Sequence, residues 1–180
     1  DGGRVLLDPN GWSADGTQAL AETSPSRDGR LVAYSISDGG SDWRTVRVRD
    51  VAAGADTSDA LSWVKFSTPA WNHEGTGFYY CRYPAPAAGE ALAGANTGMK
   101  LYFHRLGEPQ ERDALVHENA TEPTWNTGAQ VSDDGRWLVR STSMGAPDRN
   151  LLHVRPEAEP SAPWIALNET WDTDLDYVGN

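Results

Sequence analysis

Apolar and polar positions alternate with period two along most of this chain. In RLVAYSIS the side chains of Val32, Tyr34 and Ile36 share one face and those of Leu31 and Ala33 the other, as in a strand that is buried on at least one side. WRTVRVRDV follows, with Val46 and Val48 alternating with arginines, and GFYYCRY, KLYFHRL, RWLVRSTS and NLLHVR continue the pattern. No stretch of helical length carries a 3.6-residue spacing with capping residues. The pattern predicts an all-β chain.

The strand runs are punctuated by one phrase, a polar residue, any residue, an acid and a glycine: SADG from Ser13, SRDG from Ser26, NHEG from Asn72 and SDDG from Ser132. The glycine supplies the positive φ that a tight hairpin demands, and the apolar run after it is the next strand. Asp28, Glu74 and Asp134 are separated by 46 and 60 residues, and the wider gap contains PAPAAGEALAGANTG at 84–98, an Ala/Gly/Pro-rich loop between two strands. With that insertion removed the period returns to about 45, the length of one four-stranded propeller blade. The reading is a β-propeller segment of about three blades, at 21–53, 61–107 and 113–156. Residues 5–20 would be flanking strands and 164–180 the start of the next blade. Three blades do not close a ring, so two flat faces would await neighbours.

Composition narrows the chemistry. A net charge of −11 argues against nucleic acid, whose phosphates need a basic face. No apolar run approaches the roughly 18 residues of a membrane span. Eight tryptophans in 180 residues suit broad β-sheet packing. Cys81, the single cysteine, sits in an apolar strand run and reads as a buried, inert thiol. His73, His104, His117 and His153 are scattered without metal-ligand spacing, and His104 and His153 lie in strand runs as structural residues. Asn119 and Asn168 begin glycosylation sequons. The run DTDLD at 172–176 imitates a calcium loop but lacks its sixth-position glycine. No cofactor or metal is expected. There is no G-x-S-x-G nucleophile elbow, and no Ser-His-acid triad can be assembled.

The strings LLDPN, SRDGRLVAYSISDGGSDWRTV, VKFSTPAWNHEGTGFYYCRYP, KLYFHRLG, EPTW, SDDGRWLV and DYV resemble, in that order and over nearly the whole chain, the propeller domain of the prolyl oligopeptidase family. Their ordered succession carries the likeness more than any single motif does. The resemblance implies a parent with a seven-bladed propeller and an α/β-hydrolase domain whose Ser, Asp and His cleave peptides after proline. The propeller would cover that active site and admit only short peptides. The implied partners are short proline-containing peptides and the catalytic domain of the same parent chain, with neither nucleic acid nor membrane involved.

By position in the matching strings, the resemblance implies that Phe66 is the aromatic wall of the pocket for the residue two before the proline. Asn126, Ser143 and Ala146 would line the same pocket, each smaller or less charged than the residue it replaces in mammalian members. Asp42 would face the hydrolase domain, with Trp43 close to that interface. Read without the resemblance, Phe66 is ordinary core and Asp42 a turn residue. Two other functions stay open at this point: a non-catalytic propeller serving as a protein-binding platform, and the propeller of a related oligopeptidase cutting after basic residues.

Overall fold

The computed structural model describes residues 3–85, 96–145 and 149–179, and among these the secondary structure is strands with two short 3-10 turns. Strands β1 (Gln18–Pro25), β2 (Leu31–Asp38), β3 (Arg44–Asp50) and β4 (Ala55–Val64) form one antiparallel meander. The next is β5 (Ala70–Trp71), β6 (Gly77–Arg82), β7 (Lys100–Arg105) and β8 (Ala114–Glu118), and the third is β9 (Asn126–Val131), β10 (Trp137–Ser143), β11 (Asn150–Pro156) and β12 (Ile165–Asn168). A single bridge, Val64 with Arg82, joins the first meander to the second.

The expected architecture of three four-stranded blades is present, but the blades fall at 18–64, 70–118 and 126–168. Each fourth strand lies beyond the expected boundary, and Ile165–Asn168 closes the third blade instead of opening another. Residues ahead of Gln18 form a 3-10 turn, Pro9–Gly11, where flanking strands were expected. The loop expected at 84–98 lies mostly outside the described residues.

The four acid-glycine phrases share one hydrogen-bonded turn. In the last of them the Ser132 hydroxyl donates to Asp134 at 2.7 Å and accepts from the Trp137 amide at 2.9 Å, while Asp134 accepts from the Arg136 amide at 3.0 Å. Ser26 and Asp28 repeat this at 2.7, 3.0 and 3.1 Å, and Asn72 substitutes its amide oxygen, accepting from the Thr76 and Gly77 amides. The glycines take φ of +67° to +73° in these three turns. The first polar residue thus ties both strand ends together, which a bare Asp-Gly turn does not. Ser132→Ala should cost about 1 kcal/mol, read as a lower thermal midpoint; an unchanged midpoint would mean that the loop carries the turn alone.

The core lies between blades. Ala33, Val46, Val48, Leu61 and Val64 of the first blade pack on Trp71, Phe78 and Tyr80 of the second. Tyr79, Cys81, Met99 and Leu101 pack on Leu138 of the third. Along β6, Phe78 and Tyr80 therefore face one neighbour and Tyr79 and Cys81 the other, which is why GFYYCR is apolar at nearly every position. The second seam also buries Arg140 and Arg155, whose guanidiniums stack on Trp164 at 4.6 and 4.7 Å. The outward faces are partly covered by the chain itself: Trp12 lies on Tyr34 at 5.6 Å, and Asn150 on the third blade exchanges hydrogen bonds with Leu175 at 2.9 and 3.0 Å.

Candidate functional site

The inner strands β1, β5 and β9 border an open cleft of about 830 Å³ lined mainly by polar atoms. At one end the acid-glycine turns converge: the Arg27 guanidinium donates to the Asp133 carbonyl, and the His73 ring occupies the space beside Gly135. At the other end lie Phe66 and the loops that precede the inner strands. Among the described residues that the family resemblance singles out, Phe66 alone lines this cleft; Asp42, Trp43, Asn126 and Ser143 connect to it through the contacts that follow.

Their placement begins with a bulge in β4. Val46 pairs with Leu61 and Arg44 with Val64, so three steps on β4 oppose two on β3. Trp63 sits in the bulge with φ +61°, a left-handed conformation that is costly for a bulky residue. The extra residue returns Val64 to the core and turns Trp63 edge-on to Trp43 at 5.8 Å. Phe66, at φ +54°, breaks the alternation again, and the residue is 52% exposed. Two strained non-glycine residues within four positions are a local cost of about 1–3 kcal/mol each, a pattern associated with functional sites.

Lys65 connects the aromatic groups. Its ammonium is 5.2 Å from the Trp43 ring centroid and 5.1 Å from that of Phe66, 3.3 Å from the Asp42 carboxylate and 3.4 Å from the Asn96 amide oxygen. The residue is only 9% exposed, whereas Asp42 is open to solvent. Trp43 then meets Tyr83 edge-on at 5.8 Å, and the Tyr83 hydroxyl donates to Asn126 Oδ1 at 2.8 Å. The Asn126 amide donates to the Gly145 carbonyl at 3.4 Å, and Asn126 is paired across β9 and β10 with Ser143. Burial foremost pushes the Tyr83 phenol up to about 12, so it is a neutral donor here.

Asp42, Trp43, Phe66, Asn126 and Ser143 thus occupy one connected end of the three blades; Ala146 lies outside the described residues. Sequence reasoning missed Lys65, Trp63 and Tyr83. A lysine in a strand run usually reads as solvated, and only the flanking aromatics of SDW and WVKF hint that it would be enclosed.

Other candidates resolve as structural. The Cys81 thiol is fully enclosed and pushed up to about 12 by burial, which makes it a poor nucleophile. His104 is buried between Asp113 at 2.7 Å and Asp59 at 3.0 Å. His117 is lowered to about 4, by burial first and then by the Arg140 charge. The amides of Asn119 and Asn168 are engaged with Thr127 at 3.0 Å and with the Asn150 carbonyl at 2.7 Å. Among the described residues no group of three or more His, Cys, Asp or Glu is arranged to hold a metal, and no helix is long and apolar enough to cross a membrane.

Residues 1–180 match the family described as prolyl oligopeptidase, N-terminal beta-propeller domain. The prolyl endopeptidase of Elizabethkingia meningoseptica is 40% identical over 174 residues, covering 97% of this chain and 24% of that protein. Prolyl oligopeptidase A of Amanita bisporigera is 33% identical over 198 residues, covering 99% and 26%. Among solved structures, one from a study of two prolyl endopeptidases superposes with a TM-score of 0.88 at 40% identity, over 99% of this chain and 25% of the other. Prolyl oligopeptidase B from Galerina marginata, bound to a 35mer hydrolysis and macrocyclization substrate, gives 0.87 at 29% identity over 96% and 26%. The chain spans about a quarter of the length of these relatives. The family model matches the whole chain and these relatives match nearly all of it, and the chain belongs to the prolyl oligopeptidase family as part of the N-terminal β-propeller domain.

Proposed function

We propose that this chain is the gating and pocket-lining part of a serine peptidase that cleaves short peptides after proline. In this reading the catalytic Ser, Asp and His belong to an α/β-hydrolase domain seated over the end of the blades where Phe66 lies. The propeller closes that domain off from folded proteins. Phe66 presents a wall to the residue two before the proline, Asn126 and Ser143 line the rest of a roomy pocket, and Asp42 and Trp43 meet the catalytic domain.

The observation that carries the proposal is the half-exposed Phe66, held on left-handed backbone in a cleft lined by residues from all three blades. A core phenylalanine has no reason to bear that strain. Full burial of such a side chain is worth about 1.5–3 kcal/mol. With roughly half the residue already covered, peptide contact should contribute about 1–1.5 kcal/mol, or roughly five- to tenfold in affinity.

The test uses the full-length natural gene product. A fluorophosphonate probe should label it, and it should hydrolyse proline-containing peptides, with Phe66→Ala raising KM roughly five- to tenfold while kcat changes little. Absence of labelling would hand the function to a non-catalytic binding platform. Labelling with cleavage after Lys or Arg, and none after proline, would favour the basic-specific relative.

A further inference from the structure

Resting on the reading of Phe66 as a pocket wall, we propose that Lys65 and Asp42 form a charge pair that sets which side chains that pocket accepts, with Lys65 the residue that rejects cations. The ammonium of Lys65 is 5.1 Å from the centroid of the Phe66 ring. It thereby takes up the attraction that an aromatic face offers to a positive charge. A second cation laid on the exposed part of the same ring meets a ring already engaged and a like charge nearby. An apolar or acidic side chain meets no such penalty.

The pair is asymmetric, and that gives it a sign. Lys65 is nearly enclosed, wedged between Trp43 and Phe66 with the Asn96 amide oxygen at 3.4 Å, so its position is fixed by packing. Asp42 is exposed on these blades and lies 3.3 Å from the ammonium, where it offsets part of the positive field. Removing Lys65's charge should leave the pocket mildly acidic and tolerant of cations. Removing Asp42's charge should leave the ammonium uncompensated and strengthen the rejection. A scaffold role for the pair predicts damage of the same kind from either change.

The experiment compares three peptides with the full-length natural protein, identical except for Arg, Gln or Glu two residues before the proline. The quantity read is the ratio of kcat/KM for the Arg peptide to that for the Glu peptide. Lys65→Met, which keeps the length of the side chain without its charge, should raise the ratio roughly fivefold, the scale of one partly screened unit charge at about 8 Å. Asp42→Asn should lower it, and Lys65→Arg should hold it near the wild-type value. Loss of a contact between Asp42 and the catalytic domain scales all three peptides alike and cancels in the ratio, as does partial misfolding. Added salt should shrink both displacements. Displacements in the same direction, or none, overturn this inference while leaving the peptidase assignment intact. A wild-type protein that cleaves none of the three peptides overturns that assignment and this inference with it.

Discussion

Replacing His104 by Ala is expected to cost about 3–5 kcal/mol of stability, the range for removing one partner from a buried ion pair. His104 lies on β7 with a fully buried side chain, its Nδ1 2.7 Å from Asp113 and its Nε2 3.0 Å from Asp59. Asp59 belongs to the outer strand of the first blade, so the imidazole links two blades through carboxylates that are themselves almost wholly enclosed. Asp59 also accepts from Thr57 and from the Gly107 amide at 2.6 Å each, and Asp113 accepts from Tyr80 at 2.5 Å. Without the ring, two buried carboxylates lose their cation and must take up protons or drag in water.

The pH dependence has a definite sign. Burial works against the charged ring, but the hydrogen bonds and charges of Asp113 and Asp59 outweigh it and push the His104 pKa up to about 9 from an ordinary 6.5. Its contribution is therefore complete below pH 6.5 and disappears as pH rises through 9, a change on the order of 3 kcal/mol. The carboxyl of Asp59 is lowered in spite of burial, by His104, Thr57 and Gly107, so its contribution is lost as pH falls below its ordinary 3.8. Thermal midpoints followed by tryptophan fluorescence should decline from pH 6 to 9 in the wild type and stay nearly level for His104→Gln. That variant keeps one hydrogen bond and no charge. Parallel profiles for the two proteins would show that the ring is neutral in the fold.

That triad also explains where the sequence was readable and where it was not. β2 and β6 announce themselves because their inward positions are apolar, Ala33 on one and Phe78 and Tyr80 on the other. β4 does not, because ADTSDALSWV places Asp56, Thr57 and Asp59 in hydrogen bonds along its length. A period count scores these as loop. β8 and β12 face solvent over most of their length, and β5 is two residues long. The blade boundaries therefore slipped by a strand although the blade count did not. His104 could be read as a structural residue, but its two carboxylate partners are 45 and 9 residues away and leave no local trace.

The site divides in the same way. Periodicity placed Phe66 in the core, since WVKF continues a strand; only the bulge at Trp63 and the left-handed turn at Phe66 itself reverse that face. Backbone strain of this kind has no compositional signature in residues other than glycine. The likeness to a family singled out Phe66 and Asp42, which pattern alone read as core and turn, and Asn126, on which pattern was silent. The geometry then added Lys65 and Tyr83, which hold those residues as one group.

Gly77→Ala should be at least as damaging as the loss of His104, and for a steric reason that acts through the same strand. Gly77 opens β6, where it pairs with Arg105 on β7. A methyl group there would lie 2.1 Å from the His104 carbonyl oxygen and 2.7 Å from the Phe103 ring. The first of these atoms is backbone in the middle of a sheet, so no rotamer change relieves the overlap. Either β6 and β7 separate at this end, or the Asn72 side chain releases the Gly77 amide that it now accepts at 3.1 Å. Both routes disturb the strand that carries Phe78 and Tyr80 into one core and Tyr79 and Cys81 into the other. Overpacking of a tight interior costs about 1–3 kcal/mol where side chains can yield, so a clash with backbone should reach about 3 kcal/mol or more. Gly11→Ala is the matched control, since nothing lies within 4 Å of the added carbon, and it should stay within about 0.5 kcal/mol of wild type. The comparison is made on thermal midpoint and soluble yield. If the two variants are equally stable, β6 and β7 are not packed as closely at Gly77 as the register requires, and the seam that fixes His104 is looser than its hydrogen bonds imply.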